Sequence, residues 1–207
     1  TKNKKQYLAV LLAAVSLAAG TGAQPARAAN VPTPVSVAAE TGERIGDSAC
    51  SLTLEIDGTG EYAQELRKVS FGARLYRMAD IDAQGEYTVT EAFAELETEL
   101  LEAAESGQWR DVISHAEAVA EGNESSDGQE PSGSGIAPDG QVQVENGQGV
   151  VRELSPGLYL VLADPAVSGS DTYRFLPLAA ALPGWDAERR EWQYPVAVSL
   201  KPERESA

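Results

Sequence analysis

Residues 192–201 read W-Q-Y-P-V-A-V-S-L-K. Trp192, Tyr194, Val196, Val198 and Leu200 alternate with Gln193, Pro195, Ala197, Ser199 and Lys201. A period of two places the first set on one face of a β-strand and turns the second toward water. Pro195 has no backbone N–H to give to a ladder, so the strand belongs at a sheet edge or begins there. Lys201 comes at its end, on the solvent-side parity, and Pro202 is expected to stop the ladder.

Working outward, Tyr173 to Leu182 reads as a further strand that turns at Pro183-Gly184. Before it, residues 149–162 read G-V-V-R-E-L-S-P-G-L-Y-L-V-L. Ser155-Pro156-Gly157 makes a turn, because proline presets φ and glycine accepts a positive one. The unbroken apolar run Leu158 to Leu162 predicts a central strand buried on both faces. Val142-Gln143-Val144 is a short strand, and Asn146-Gly147 suits a tight hairpin. At the other end of the domain, Leu52, Leu54 and Ile56 alternate as a first strand. Val69 to Met78 predicts a second, with Val69, Phe71, Ala73 and Leu75 on one face, and Tyr87-Thr88-Val89 a short third. Between these groups the period changes. Phe93, Leu96, Leu100, Leu101 and Ala104 recur at three and four until Gly107, and Trp109, Val112, Ile113, Ala116 and Val119 do so until Gly122. That is a two-helix insertion. Residues 122–141 are Gly-, Ser- and acid-rich and read as a mobile surface loop. Seven or eight short strands with turns between them predict a mainly β fold, an Ig-like antiparallel sandwich carrying the insertion.

The ends and the composition set the compartment. Lys2, Lys4 and Lys5, an apolar run from Tyr7 to Ala19, and Ala26-Arg27-Ala28 follow the order of a secretory signal peptide over 1–28, with a run too short to span a membrane. Residues 29–48 read as a flexible tether, 49–202 as the sandwich domain, and 203–207 as a tail with a further domain or sorting signal expected beyond it. Without the leader, twelve basic and 32 acidic groups leave a charge of −20. Such a surface repels nucleic acid and anionic membranes. Cys50 is the only cysteine, so an intrachain disulfide is excluded.

The spacing W-x-x-x-V-x-V-x-x-K, from Trp192 through Val196 and Val198 to Lys201, resembles the pilin motif of sortase-assembled Gram-positive pilus subunits. F-G-A-R-L-Y-R-M-A-D at 71–80, L-S-P-G-L-Y-L-V at 154–161 and the insertion with Trp109 in its second helix resemble the N-terminal domain of those subunits. The fold so implied is prealbumin-like, akin to the B repeats of collagen adhesins. The resemblance implies that Lys201 attacks a sortase thioacyl intermediate and joins this subunit to the next. Its partners would be sortase, other pilin subunits or the cell wall, with no cofactor and no enzymatic activity of its own. Two departures stand out. The family usually has Tyr-Pro before the lysine, where this chain has Ser199-Leu200. Related domains also form an internal Lys–Asn isopeptide bond beside a buried acid. Here Glu55 stands near the lysine position, Ser199 and Leu200 near the asparagine, and Ala163 at the acid, with Asp164 one residue late. The internal bond is expected to be absent.

Other sites read less sharply. Asp80, Asp82, Gln84, Glu86 and Glu91 have EF-hand-like offsets around Gly85, making Asp80, Asp82 and Glu91 a weak calcium candidate. Their flanks read as strands where an EF-hand needs helices, so a β-turn is the simpler reading. His115 has no second histidine or nearby cysteine to share a metal, Asn123-Glu124-Ser125 is a formal glycosylation sequon, and Glu153 reads as a solvated strand-edge acid. No P-loop, nucleophile elbow or dinucleotide fingerprint is present. Two functions fit: a sortase-joined pilin-like subunit, or a stand-alone adhesin domain binding a host protein or glycan through the insertion and the 122–141 loop.

Overall fold

The computed structural model describes residues 43–122 and 135–205. The expected signal peptide, most of the tether, the Asn123 sequon and most of the 122–141 loop lie outside the described residues.

Two sheets face each other, and helices cover the outer face of one of them. In the first sheet, β1 (Cys50–Ile56) lies between β5 (Gln148–Leu154) and β12 (Pro195–Leu200). The second sheet is built on β2 (Phe71–Ile81), β6 (Gly157–Ala163) and β9 (Leu178–Leu182), with β3 (Tyr87–Val89) and β4 (Gly140–Val144) both pairing β2. Leu52, Leu54 and Ile56 point across to Phe71, Leu75, Tyr159 and Val161, forming one buried cluster. Leu52, Leu54, Phe71, Leu75, Tyr159, Val161 and Val196 are all buried, as the alternation predicts. On the far side of the second sheet, Tyr76, Met78, Leu158, Leu160 and Leu162 form a second cluster with the helices. β6 therefore has an apolar layer on each face, which is why its sequence is apolar without interruption.

The helical cover is a 3-10 turn at Glu91–Leu96, then α2 (Glu97–Ser106) and α3 (Arg110–Glu121). Gly107 and Gly122 end the two helices in the left-handed conformation, which glycine adopts at little cost. Leu100 takes the inward position, so Leu101, a further 100° around the helix, is 42% exposed, contrary to expectation. Trp109 is buried but precedes α3 instead of lying in it. A short helix outside the insertion, α1 (Ala63–Leu66), buries Leu66 under the inter-sheet core.

Four further expectations need correction. The second strand begins at Phe71, not Val69; Tyr76 and Met78 face the helices by alternation, and Ala79 joins them beyond a register shift between Arg77 and Ala79. The pairing is not antiparallel throughout. β1 and β12 run parallel, with Leu52 opposite Val196 and Leu54 opposite Val198. Parallel neighbours need a long crossover, and here almost the whole domain supplies it. The run from Tyr173 to Leu182 breaks at Leu176-Pro177 into β8 (Asp171–Phe175) and β9, which join different sheets. Pro202 does not end the ladders. It opens β13 (Pro202–Glu205), which pairs with β8 in a small third sheet completed by β7 (Ala166–Ser168). Part of the expected tail is thus a strand. The Asn146-Gly147 hairpin is present, with φ of 53° and 80°. It carries the chain from β4 in one sheet to β5 in the other.

Candidate functional site

Residues 192–201 belong to two strands. Glu191–Gln193 (β11) pairs with Gly184–Asp186 (β10), placing Trp185 opposite Trp192. Their rings meet edge to face at 4.9 Å. Tyr194 lies between the strands, and its carbonyl accepts the Ser51 N–H at 3.0 Å. Both aromatic residues then hold the segment before β1. Trp192 Nε1–H donates to the Glu43 carbonyl at 3.1 Å, and the Tyr194 hydroxyl accepts the Gly46 N–H at 2.7 Å. Ile45 is buried and donates to the Ala83 carbonyl at 3.1 Å. Residues 43–46, expected as tether, are strapped to the domain.

The downstream half behaves differently. Val196, Val198 and Leu200 are buried against β1, so the end of β12 is fixed by the core. Pro195 begins the strand, and β12 is the edge of its sheet, as a missing N–H requires. Lys201 is exposed. Its carbonyl accepts the Leu176 N–H at 3.1 Å, and the chain passes straight into β13. Among the described residues its ammonium makes no ion pair or side-chain hydrogen bond. The backbone is held on both sides while the amine stays in solvent.

β13 is secured by contacts that its polar sequence, P-E-R-E, did not announce. Arg204 lies 5.9 Å from the centre of the Tyr62 ring and 3.9 Å from Asp171, and Arg174 pairs with Glu205 at 2.5 Å. Tyr62 packs on Tyr173 at 5.2 Å. The Tyr173 hydroxyl donates a short hydrogen bond to the Glu65 carboxylate, which, with burial, pushes the phenol up to about 12.

The other candidates are scattered. Lys68, the second lysine outside the leader, follows α1 and is exposed. Glu55 lies on the solvent side of β1, between Ser199 and Gln148. Asp164 is about half exposed and held by Arg74 at 3.2 Å. Among the described residues no charged side chain is buried. Asp80 pairs with Arg77 at 3.1 Å. The Asp82 carboxylate accepts the N–H groups of Gln84 and Glu86 at 2.8 and 2.9 Å, which is a turn, and Glu91 starts the 3-10 segment. No group of metal-ligating side chains occurs among the described residues. His115 bonds Glu99 across the helix pair at 3.2 Å. Glu153 is exposed at φ 59°, where β5 bulges against β1.

The fold is thus a mainly β sandwich with one helix-covered face and a lysine at its closing corner. Solved structures similar to the chain include major pilins. The full-length major pilin SpaD from Corynebacterium diphtheriae matches at 18% identity with a TM-score of 0.41, over 75% of this chain and 30% of that one. The major pilin SpaA of the same organism matches at 17% identity with a TM-score of 0.40, over 74% of this chain and 30% of that one. The solution structure of the SpaA pilin–signal peptide complex matches at 20% identity and a TM-score of 0.42, over 76% and 99% of the two chains. The likeness is a loose one of fold, and the chain spans about 30% of the SpaD and SpaA major pilin chains. No protein-family model and no curated protein matches the sequence.

Proposed function

We propose that this chain is an exported, pilin-like structural subunit of a cell surface, joined to its neighbours by a sortase through Lys201. The observation that carries the reading is the corner itself. An exposed amine follows directly on a strand whose Val196, Val198 and Leu200 are locked in the core, at the pilin spacing from Trp192. Nucleophilic attack needs an accessible amine in a fixed place. In the reaction, the lysine amine loses a proton and attacks the carbonyl carbon of the thioacyl bond between the sortase cysteine and a donor subunit. The amide C–N bond forms, the C–S bond breaks, and the thiolate leaves with the electron pair and is reprotonated. The chain supplies the nucleophile and no catalyst. Its partners are sortase and other subunits or the cell wall, and its acidic surface repels nucleic acid and anionic membranes. No helix among the described residues is long and apolar enough to cross a membrane.

The test is to incubate the domain with a pilus sortase and a sorting-signal peptide and map the adduct. The reading expects the peptide on Lys201. No adduct, or one on Lys68, removes it and favours the adhesin alternative.

A further inference from the structure

The β8–β13 ladder specifies what lies beside the Lys201 side chain. Its register pairs Pro202 with Phe175, Glu203 with Arg174, Arg204 with Tyr173 and Glu205 with Thr172. Directly opposed residues of an antiparallel pair share one face of the sheet, with Cβ atoms about 5 Å apart. The contacts obey this rule at each step that can be checked. Arg204, opposite buried Tyr173, reaches the Tyr62 ring that packs on Tyr173. Arg174 and Glu205, both on the other face, meet diagonally in an ion pair. One step further, the same register opposes Leu176 to Lys201, and the Leu176 N–H donates to the Lys201 carbonyl at 3.1 Å. Both residues are exposed, on the face opposite Phe175 and Tyr173, with Leu176 at 45%.

We propose that Leu176 is a positioning residue for the acceptor lysine. The inference rests on the acceptor role of Lys201 proposed above. A lysine carries a four-carbon stem that covers apolar surface while its head stays in water. The Leu176 side chain is the apolar surface that the register places under that stem. Lying along it, the stem loses rotamers before the acyl-enzyme arrives, and the amine projects from the corner in a narrowed range of directions. The step that gains is the attack itself, because ordering the nucleophile in advance lowers the entropy cost of the transition state. Leu176 contributes little to the core, so its removal leaves the fold intact.

The experiment has two arms on the whole mature domain. In the first, NMR of the unreacted protein looks for cross-peaks between the Leu176 methyls and the Lys201 methylenes. In the second, Leu176→Ser and Leu176→Met are compared with wild type in sortase acylation, with kcat and KM separated and Tm recorded. Cross-peaks should be present in wild type. Leu176→Ser should lower kcat about three- to tenfold with KM and Tm little changed, and Leu176→Met should restore most of the rate. Absent cross-peaks, a Leu176→Ser variant as fast as wild type, or a Leu176→Met variant as slow as Leu176→Ser would each overturn the proposal. An adduct that is missing or sits on Lys68 in wild-type protein overturns the acceptor reading, and this inference with it. Adduct mapping on wild type separates that failure from a failure of Leu176 alone.

Discussion

The two ends of the 192–201 stretch differ in what they hold. At the upstream end, the Trp192 and Tyr194 side chains reach back to Glu43 and Gly46 and tie down the approach to β1. At the downstream end, Val198 and Leu200 are swallowed by the core, and Lys201 emerges between two ladders. Nine residue steps separate the ends, roughly 30 Å if extended. Trp192 packs on Trp185 in the β10–β11 pair, whereas Lys201 leads into β13. The one stretch thus combines an aromatic clasp for the start of the domain with a rigid mount for the proposed acceptor amine.

The largest loss is expected at the downstream end. Val198→Asp puts an unpaired carboxylate opposite Leu54 in the inter-sheet core. It should destabilise the domain by more than about 3 kcal/mol, measured by urea unfolding. Trp192→Ala loses the edge-to-face contact with Trp185 and the bond to Glu43. It should cost about 1–2 kcal/mol yet leave the rate of Lys201 acylation unchanged. A lost acylation with the fold intact would show that the motif acts as one unit.

A milder effect at the upstream end depends on pH. Burial pushes the Cys50 thiol from 9.0 up to about 11, so the folded state holds this proton more tightly than the unfolded chain does. Its contribution to stability is full below pH 9 and is lost as pH rises toward 11. Unfolding midpoints should fall across that window, and a Cys50→Ala variant should fall less. The smallest expected effect is none. The intact mass of the folded domain should equal the sequence mass, because neither lysine meets an amide in an apolar setting and Glu55 faces solvent. A mass short by one ammonia would reveal an internal isopeptide bond.

What the sequence made legible follows from periodicity. The alternation of Leu52, Leu54 and Ile56, the unbroken run of β6 and the helical spacing from Phe93 to Val119 each report one neighbouring apolar layer, or two. Breaks and polar strands were not legible. Leu176-Pro177 sits inside a continuous apolar run, so nothing in the period marks the change of sheet there. α1 is a single turn, too short to show a face. β13 is held by Arg204, Glu205 and the β8 backbone, and a four-residue P-E-R-E segment carries no alternation. The parallel β1–β12 pair depends on how the whole chain wraps, which no local pattern encodes. At the site, the exposure of Lys201 could be read from parity, while its neighbour Leu176 required the register.

The most direct test of the central claim uses the small number of lysines. Outside residues 1–28 the chain has only Lys68 and Lys201. An arginine stays protonated and cannot attack an acyl carbon, yet it keeps the charge and the stem. Lys68→Arg and Lys201→Arg domains should be incubated with the pilus sortase and a sorting-signal peptide, and the adduct measured by mass spectrometry. Lys68→Arg should give wild-type adduct and Lys201→Arg none, with both variants folded. Persistent adduct in Lys201→Arg would contradict the acceptor role of Lys201.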